Sequence, residues 1–314
     1  MPDRFVAHSR AMRALVEQIR RFASIDSNVL VTGETGAGKN AVARELHARG
    51  PRAKLPFVTI DCASLAGSLI DSELFGHERG AFTDAVAARP GRFELAGAGT
   101  VYLDAVAELA IEAQGKLLRI VEEKRVERMG GHGSVAVTAR IVASAGANIE
   151  DAVLGGTFRG DLYHRLHVLP LVVPPLRERP EDILPLATYF LKRAVSSARR
   201  DPAVIARDAA AALADYAWPG NVRELAHTVE RALDAAGRAD TIGLDHLPRE
   251  ILEAPALEPD AAVAGRRRPT LDEVERRYIA ATLRHARGNQ TEAARRLGIS
   301  RKALWEKRKR YGLE

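Results

Sequence analysis

An α/β unit built on a parallel sheet, followed by two all-helical units, is the architecture that this 314-residue sequence predicts. Three observations carry the prediction. Between Asn28 and Val173 five short apolar runs, NVLVTG, PFVTID, TVYLD, ARIVAS and HVLPLVV, alternate with amphipathic stretches of helical period, the pattern of a sheet covered on both faces. The proline-rich segment PPLRERPED, Pro174 to Asp182, ends that alternation, and no strand is expected beyond it. The last fifty residues hold 15 Lys and Arg against 6 Asp and Glu, so the net charge of +6 divides into +9 at the tail and −3 elsewhere. Such a confined basic excess suits a module that meets a polyanion; a solvated basic helix is the plain alternative.

Length and composition bound the rest. At roughly 150 residues per domain the chain holds two compact units and a small third. With 46% hydrophobic and 28% charged residues it reads as globular, not fibrous or disordered. No apolar stretch approaches the ~18 residues of a membrane span, and the start, MPDRFVAHSR, is followed by no apolar export signal. A single cysteine, Cys62, excludes a disulfide framework. No membrane partner and a cytoplasmic location are therefore expected. The expected units are residues 1–175 (α/β), 176–251 (helical), 252–269 (an Ala- and Pro-rich linker) and 270–314 (a basic helical end).

The segment GETGAGKN comprises Gly33, Glu34, Thr35, Gly36, Ala37, Gly38, Lys39 and Asn40. It follows the first apolar run directly and opens a helical stretch. This spacing fits a phosphate loop: the glycines let backbone N–H groups converge on phosphate oxygens, Lys39 adds a positive charge, and the helix start adds its dipole. A chance glycine-rich turn is the alternative. The usual last residue is Ser or Thr, whose hydroxyl meets Mg²⁺, and here it is Asn40. Sixty-five residues after Lys39, TVYLD ends in Asp104, at the carboxyl edge of the sheet, where a carboxylate can hold Mg²⁺ through water or merely cap a loop.

On these residues, together with SELFGHERGAFTDA (Ser72 to Ala85), GTFRGDLYHRL (Gly156 to Leu166), PPLRERPEDI and WPGNVREL, the chain resembles the NtrC-type enhancer-binding proteins. These are AAA+ P-loop activators of sigma-54 RNA polymerase. The resemblance runs from about Ser9 to the C-terminus. It implies an α/β subdomain with a helical lid, ATP held between the subunits of a ring, usually a hexamer, and a sigma-factor loop at Gly80, Ala81, Phe82, Thr83, Asp84 and Ala85. It further implies trans arginine fingers at Arg159 and Arg165 and a phosphate-sensing Arg223 from the lid. For each arginine a surface or interhelical salt bridge is the alternative. An arginine supplied in trans speeds phosphoryl transfer by roughly 10³ to 10⁵.

Three positions depart from the family pattern. Its strand motif ends Asp-Glu, and here it reads Asp104-Ala105. A methyl group accepts no proton from water, and general-base catalysis is worth roughly 10² to 10⁴ in rate, so ATP binding is expected to survive and hydrolysis to be slow or absent. The Thr-Asn pair that senses the γ-phosphate is replaced by Ala145 and Gly146, with Asn148 two residues late. The second glycine of the sigma-factor loop is Asp84, whose charge sits beside the loop tip although its backbone tolerates the turn. A milder change puts Asp61 where the family commonly has an asparagine switch.

The C-terminal end reads as three helical stretches. Leu271, Val274, Tyr278, Ala281 and Leu283 mark the apolar face of the first, a candidate dimerising helix. Asn289 and Glu292 form a capping signature, Gly298 makes a turn, and Ser300 caps the last helix. This helix-turn-helix resembles the Fis-type domain of the same family. Thr291, Ser300, Arg301, Lys302 and Ala303 are the candidates at base edges and phosphates, and Lys307, Arg308 and Arg310 at phosphate. Leu297, Ile299, Leu304 and Tyr311 read as core, and Trp305 fits core or surface. A protein-interaction module is the alternative.

His164 and His167 read as a helix face and not as metal ligands. Three functions remain open. One is a DNA-binding regulator whose ATP-bound AAA+ unit is degenerate, working as a homo-oligomer of two to six subunits or with an active family member. The second is a fully ATP-hydrolysing sigma-54 activator, and the third an ATP-gated replication initiator or helicase loader. Ala105 favours the first over the second, and the GAFT-containing loop with the Fis-like end weighs against the third. DNA at upstream promoter or enhancer sites and RNA polymerase, with sigma-54 among its possible forms, are the implied partners. No receiver domain is expected ahead of Met1, so a bound protein, a small ligand, expression level or a further segment is the expected input.

Overall fold

Each of the five apolar runs becomes a strand. The computed structural model describes residues 5–253 apart from 65–67, 82–84, 132, 199–202 and 238, and residues 275–312 apart from 277, 281, 284, 285, 287 and 288. The chain divides into two compact units, residues 1–200 with 217–230, and residues 201–216 with 231–314.

The first unit begins with α1 (Arg10–Ala23), whose start is fixed by Ser9: its Oγ accepts the Met12 amide at 3.1 Å. Met12, Leu15, Ile19 and Ala23 are its buried face. There follow β1 (Val29–Thr32), α2 (Lys39–Ala48), β2 (Phe57–Asp61), α3 (Ser68–Phe75), β3 (Gly76–His77) and β4 (Arg89–Pro90). Next come α4 (Arg92–Ala96), β5 (Thr100–Asp104), α5 (Ile111–Glu123), β6 (Arg125–Glu127), β7 (Ser134–Ala136) and β8 (Arg140–Ala145). The unit continues through α6 (Ile149–Leu154), α7 (Gly160–Leu166), β9 (Leu169–Val172) and α8 (Ile183–Ala198).

β2, β5, β8, β1 and β9 form one parallel sheet in that order. Strand residues alternate between two cores, which is why the runs read as continuously apolar. Leu30, Val101, Leu103, Ile141 and Ala143 pack toward Leu117, Phe158 and Leu162. Val29, Val31, Tyr102, Val142 and Leu171 pack toward α1 and α2. All five strands run one way, so Thr32, Asp61, Asp104, Ala145 and Val172 share one edge, and Asp61 is the register partner of Asp104.

The second unit corrects the expectation of no strand after Asp182. β10 (Val204–Ile205) pairs in parallel with β11 (Thr241–Ile242); α9 (Arg207–Asp215) lies between them in the chain and α11 (Arg249–Glu253) after them, while α10 (Asn221–Ala235) begins in the first unit and ends in the second. Two residues are too few to leave a period-2 signal. Residues 254–269, most of the expected linker, lie outside the described residues.

At the C-terminal end α12 (Gln290–Arg296) and α13 (Arg301–Tyr311) pack on helical residues between 275 and 283, around Ile279, Ala286, Ala293, Ala294 and Leu304. Leu283, Leu297, Ile299 and Tyr311 join this core. Tyr278, expected on the apolar face, is 49% exposed, and its neighbour Ile279 is buried instead. An aromatic ring with a polar tip satisfies an apolar count without being drawn inside. Leu271, Val274 and Ala281 lie outside the described residues. Trp305 is exposed, with the Lys309 ammonium 5.5 Å from its ring centre.

Candidate functional site

The glycines of the phosphate loop do what their positions require. Gly36 (φ 77°) and Gly38 (φ 108°) adopt backbone that an L side chain resists, and a Cβ on Gly36 would lie 2.3 Å from the Gly220 carbonyl oxygen. α2 starts at Lys39, so its first amides face the loop. Lys39 Nζ donates to the carbonyls of Gly33 at 2.8 Å and Glu34 at 3.0 Å. Burial holds this ammonium below the usual lysine range; Arg223 pushes the same way, while Asp104 and Glu34 push it up. Lys39 makes no ion pair among the described residues. A partly desolvated ammonium whose partners are carbonyls, at a helix start, fits an incoming phosphate.

The loop is locked by residues whose roles no motif marks in the sequence. Arg177 grips the Glu34 carboxylate at 2.5 and 2.7 Å and, with help from Asn221, holds it below the usual carboxylate range. Asn221 is fully buried in a left-handed conformation (φ 55°). Its Nδ2 donates to Glu34 Oε2 at 3.0 Å and to the Thr35 carbonyl at 3.1 Å, and its Oδ1 accepts the Leu176 amide at 2.7 Å. The Val222 amide donates to the Gly36 carbonyl at 3.0 Å, and Arg179 Nη2 to the Ala37 carbonyl at 2.5 Å. These contacts bring the WPGNVREL segment, and with it Arg223, beside the loop. The one signal in sequence was an asparagine directly after a Pro-Gly turn.

At the sheet edge Asp104 Oδ1 accepts from the Ser144 hydroxyl at 2.6 Å and the Tyr102 hydroxyl at 3.0 Å. Ala105, left-handed at φ 56°, donates its amide to Ser144 Oγ at 3.0 Å. The carboxylate is thus oriented, and the side chain after it is a methyl. Asp61 accepts the amides of Ala63 at 3.1 Å and Ser64 at 3.3 Å, a turn-capping role. Asn40 Oδ1 accepts from Arg44 Nε at 2.9 Å. For Mg²⁺ the donor set therefore offers the Asp104 carboxylate and an amide oxygen that is already engaged.

Of the sigma-factor loop, Phe82, Thr83 and Asp84 lie outside the described residues. Its neck is closed by the Gly80 amide, which donates to the Ala85 carbonyl at 2.9 Å, and Ala81 N–H reaches the Glu78 carbonyl at 3.1 Å. Two short ladders that left no sequence signal, β3 with β4 and β6 with β7, flank it. Arg128 ties them together, donating to Glu94 at 2.7 and 2.8 Å and to Glu78 at 3.0 Å.

Arg159 and Arg165 stand at the two ends of α7, away from Lys39 in sequence and paired on the surface. Arg159 holds Asp161 at 2.7 and 3.0 Å, and Arg165 holds Glu122 at 2.8 Å. Their backbone is anchored all the same. Buried Gln114 accepts the Arg159 amide at 2.9 Å, and Asn28 Nδ2 donates to the Arg165 carbonyl at 2.8 Å.

In the C-terminal element, Ser300 Oγ accepts the Ala303 amide at 3.1 Å, and Gly298 turns at φ 64°. Arg301 and Lys302 are exposed on the first turn of α13, with Thr291 exposed on α12. The capping pair at Asn289 is half present. Asn289 Oδ1 accepts the amides of Thr291 and Glu292, but the Glu292 carboxylate turns to Arg295 and Arg296, which pull its pKa down to about 2. Lys307, expected toward phosphate, ion-pairs with Glu275, which also accepts the Tyr311 hydroxyl at 2.6 Å. Arg308 is half-buried and Arg310 exposed on the same helix.

Residues 5–172 match the sigma-54 interaction domain, residues 177–263 the AAA+ ATPase lid domain, and residues 270–311 the Fis family of bacterial regulatory proteins. The chain is 41% identical over 313 residues to the regulatory protein AtoC of Escherichia coli (strain K12), spanning 98% of this chain and 68% of AtoC. It is 44% identical over 302 residues to the transcriptional regulatory protein ZraR of Klebsiella oxytoca, spanning 96% and 68%. Its fold is similar to that of NtrX from Brucella abortus. The NtrX complex with ATP superposes with a TM-score of 0.76 at 36% identity, and the complex with ADP with 0.75 at 37%, each covering 98% of this chain and 70% of NtrX. Among the described residues no helix is long and apolar enough to cross a membrane.

Proposed function

The chain belongs to the NtrC-type family of sigma-54-dependent transcriptional regulators, with an AAA+ unit, a helical lid and a Fis-type DNA-binding end, and from that premise we propose that it is a DNA-bound regulator that holds ATP without turning it over at an appreciable rate. The observation that carries this reading is Ala105, a methyl group directly after an Asp104 that is otherwise held in place by Ser144 and Tyr102. Asp61, the register partner of Asp104, does not substitute, because its carboxylate caps the turn at Ala63 and Ser64.

When bound, Mg²⁺-ATP supplies a phosphoanhydride whose γ-phosphate is open to attack by water. The residues of this chain then divide the work as follows. The amides from Gly33 through Asn40 and the Lys39 ammonium hold phosphate oxygens. Asp104 would hold the metal, and Arg223 would contact the phosphates from the lid. Arg159 and Arg165, once released from Asp161 and Glu122, reach a neighbouring subunit's nucleotide in an oligomer of two to six copies, or in a mixed ring with an active family member. No group at position 105 accepts the proton of the attacking water, so charge stabilisation proceeds without general-base assistance. Residues 80–85 then contact sigma-54 polymerase in a nucleotide-dependent way without a hydrolytic cycle.

At the DNA end, Arg301, Lys302, Ala303 and Thr291 face the groove and its phosphates, and Arg308 and Arg310 lie toward phosphate. Ser300 serves as the cap and Lys307 as the internal tie to Glu275.

Binding of a fluorescent ATP analogue, measured on the chain and on Lys39→Ala with phosphate release followed in the same samples, tests the reading. Saturable binding that Lys39→Ala abolishes, with no release above the protein-free control, supports it. Absence of binding, or release that persists over many turnovers, overturns it.

A further inference from the structure

The amino-terminal edge of the sheet, opposite the phosphate loop, opens into a cavity of about 410 Å³. Thr100 and Arg140, the first residues of β5 and β8, form part of its lining together with His47 and Arg52. At the same cavity stand two aliphatic side chains that the fold leaves in water, Ile25 at 41% and Leu55 at 42% exposure. Its volume falls within the roughly 300–1,000 Å³ of ordinary small-molecule sites.

The charge around this cavity does not balance. Arg140 is only 6% exposed, and its guanidinium donates to three backbone carbonyls, Phe22 at 2.7 Å, Ala23 at 3.1 Å and Ser27 at 3.3 Å, with no carboxylate partner among the described residues. Arg52 holds Asp26 at 2.8 and 2.9 Å. Lys124 is pushed down by burial and feels the same Asp26 and Arg52, as Arg140 does. One carboxylate thus serves three cations. His47, with Nδ1 2.9 Å from Thr100 Oγ1, is held below its ordinary value by burial and then by Arg140 and Arg44. A buried guanidinium that lacks an anion keeps an unpaid desolvation cost, which an anion entering the cavity relieves.

We propose that this cavity binds a small organic anion, its carboxylate toward Arg140 and its hydrocarbon body against Ile25 and Leu55. The site is separate from the nucleotide site: it lies where β5 and β8 begin, whereas Asp104 and Ser144 lie where they end.

Methyl NMR of the full chain, labelled at Ile and Leu and titrated with benzoate, hexanoate and the neutral analogue benzamide, tests the proposal. The expected result is a saturable shift of the Ile25 and Leu55 methyl signals by either acid and none by benzamide. Affinity falls by about tenfold or more in Leu55→Glu, a change at an exposed position that brings a like charge to the site, and excess ATP leaves it unchanged. Three results overturn the proposal: no saturable shift by either acid up to about 10 mM, equal shifts with benzamide, or displacement of the acid by ATP.

Discussion

Asn221 Nδ2 donates to Glu34 Oε2 at 3.0 Å across 187 residues of sequence, while its Oδ1 accepts the Leu176 amide. One buried side chain therefore joins the phosphate loop, the Pro-rich segment and the start of α10. Asn221→Ala leaves the Leu176 amide without an acceptor and puts a Cβ-bearing residue with no local hydrogen bond at φ 55°. A loss of about 2–4 kcal/mol in urea unfolding is expected, with weaker binding of the ATP analogue. Asn221→Gly removes the strain alone and recovers about 1 kcal/mol of it.

Glu34 carries the pH dependence of this lock. Arg177 first and Asn221 next hold its carboxyl below its ordinary 4.5 in the folded chain. A depressed folded value means that the contribution is complete above 4.5 and is lost as pH falls through the folded value. The urea midpoint of the unmodified chain is therefore expected to fall more steeply than that of Glu34→Gln between about pH 5 and pH 3. Parallel profiles for the two proteins would contradict the assignment.

Much of the α/β unit is legible in the residues themselves. NVLVT, TVYLD and ARIVAS each bury both faces, and PFVTID, at the sheet edge, is half-buried with Ile60 inside, so hydrophobic runs mark the strands, and GETGAGK marks the turn between β1 and α2. What escaped is long-range or very short. The Asn221 lock spans most of the chain, and Ser144 looks like a neutral strand residue until the fold sets its hydroxyl between Asp104 and Ala105. β10 and β11 have two residues each, below any periodic signal. Competition also hides contacts: the spacing of Asn289 and Glu292 suits a reciprocal cap, but two arginines at i+3 and i+4 take the Glu292 carboxylate.

Cys62 directly follows β2 at the sheet edge that carries Asp104, whose backbone carbonyl accepts the Cys62 amide at 2.9 Å. It is buried, and burial pushes its thiol up to about 12, with Asp104 and Asp61 adding to the shift. At pH 8 the native chain is expected to resist a thiol reagent that labels one equivalent once urea unfolds it. Rapid labelling of the folded chain would show that this edge opens.

At the DNA end, exposed Lys302 and internally paired Lys307 are expected to separate. Lys302→Ala weakens DNA binding and reduces the slope of log K against log salt by about 0.9. Lys307→Ala loses the Glu275 pair and lowers the stability of the C-terminal helices, with a smaller change in that slope. Fluorescence anisotropy over a salt series, beside thermal unfolding, distinguishes the two.

Steady-state phosphate release by the unmodified chain and by Ala105→Glu, at equal subunit concentration and saturating ATP, tests the central claim most directly. Both proteins are expected to bind the ATP analogue. The glutamate variant is expected to release phosphate at least about 10²-fold faster than its parent. Equal turnover by the two proteins, well above the protein-free rate, would contradict the account.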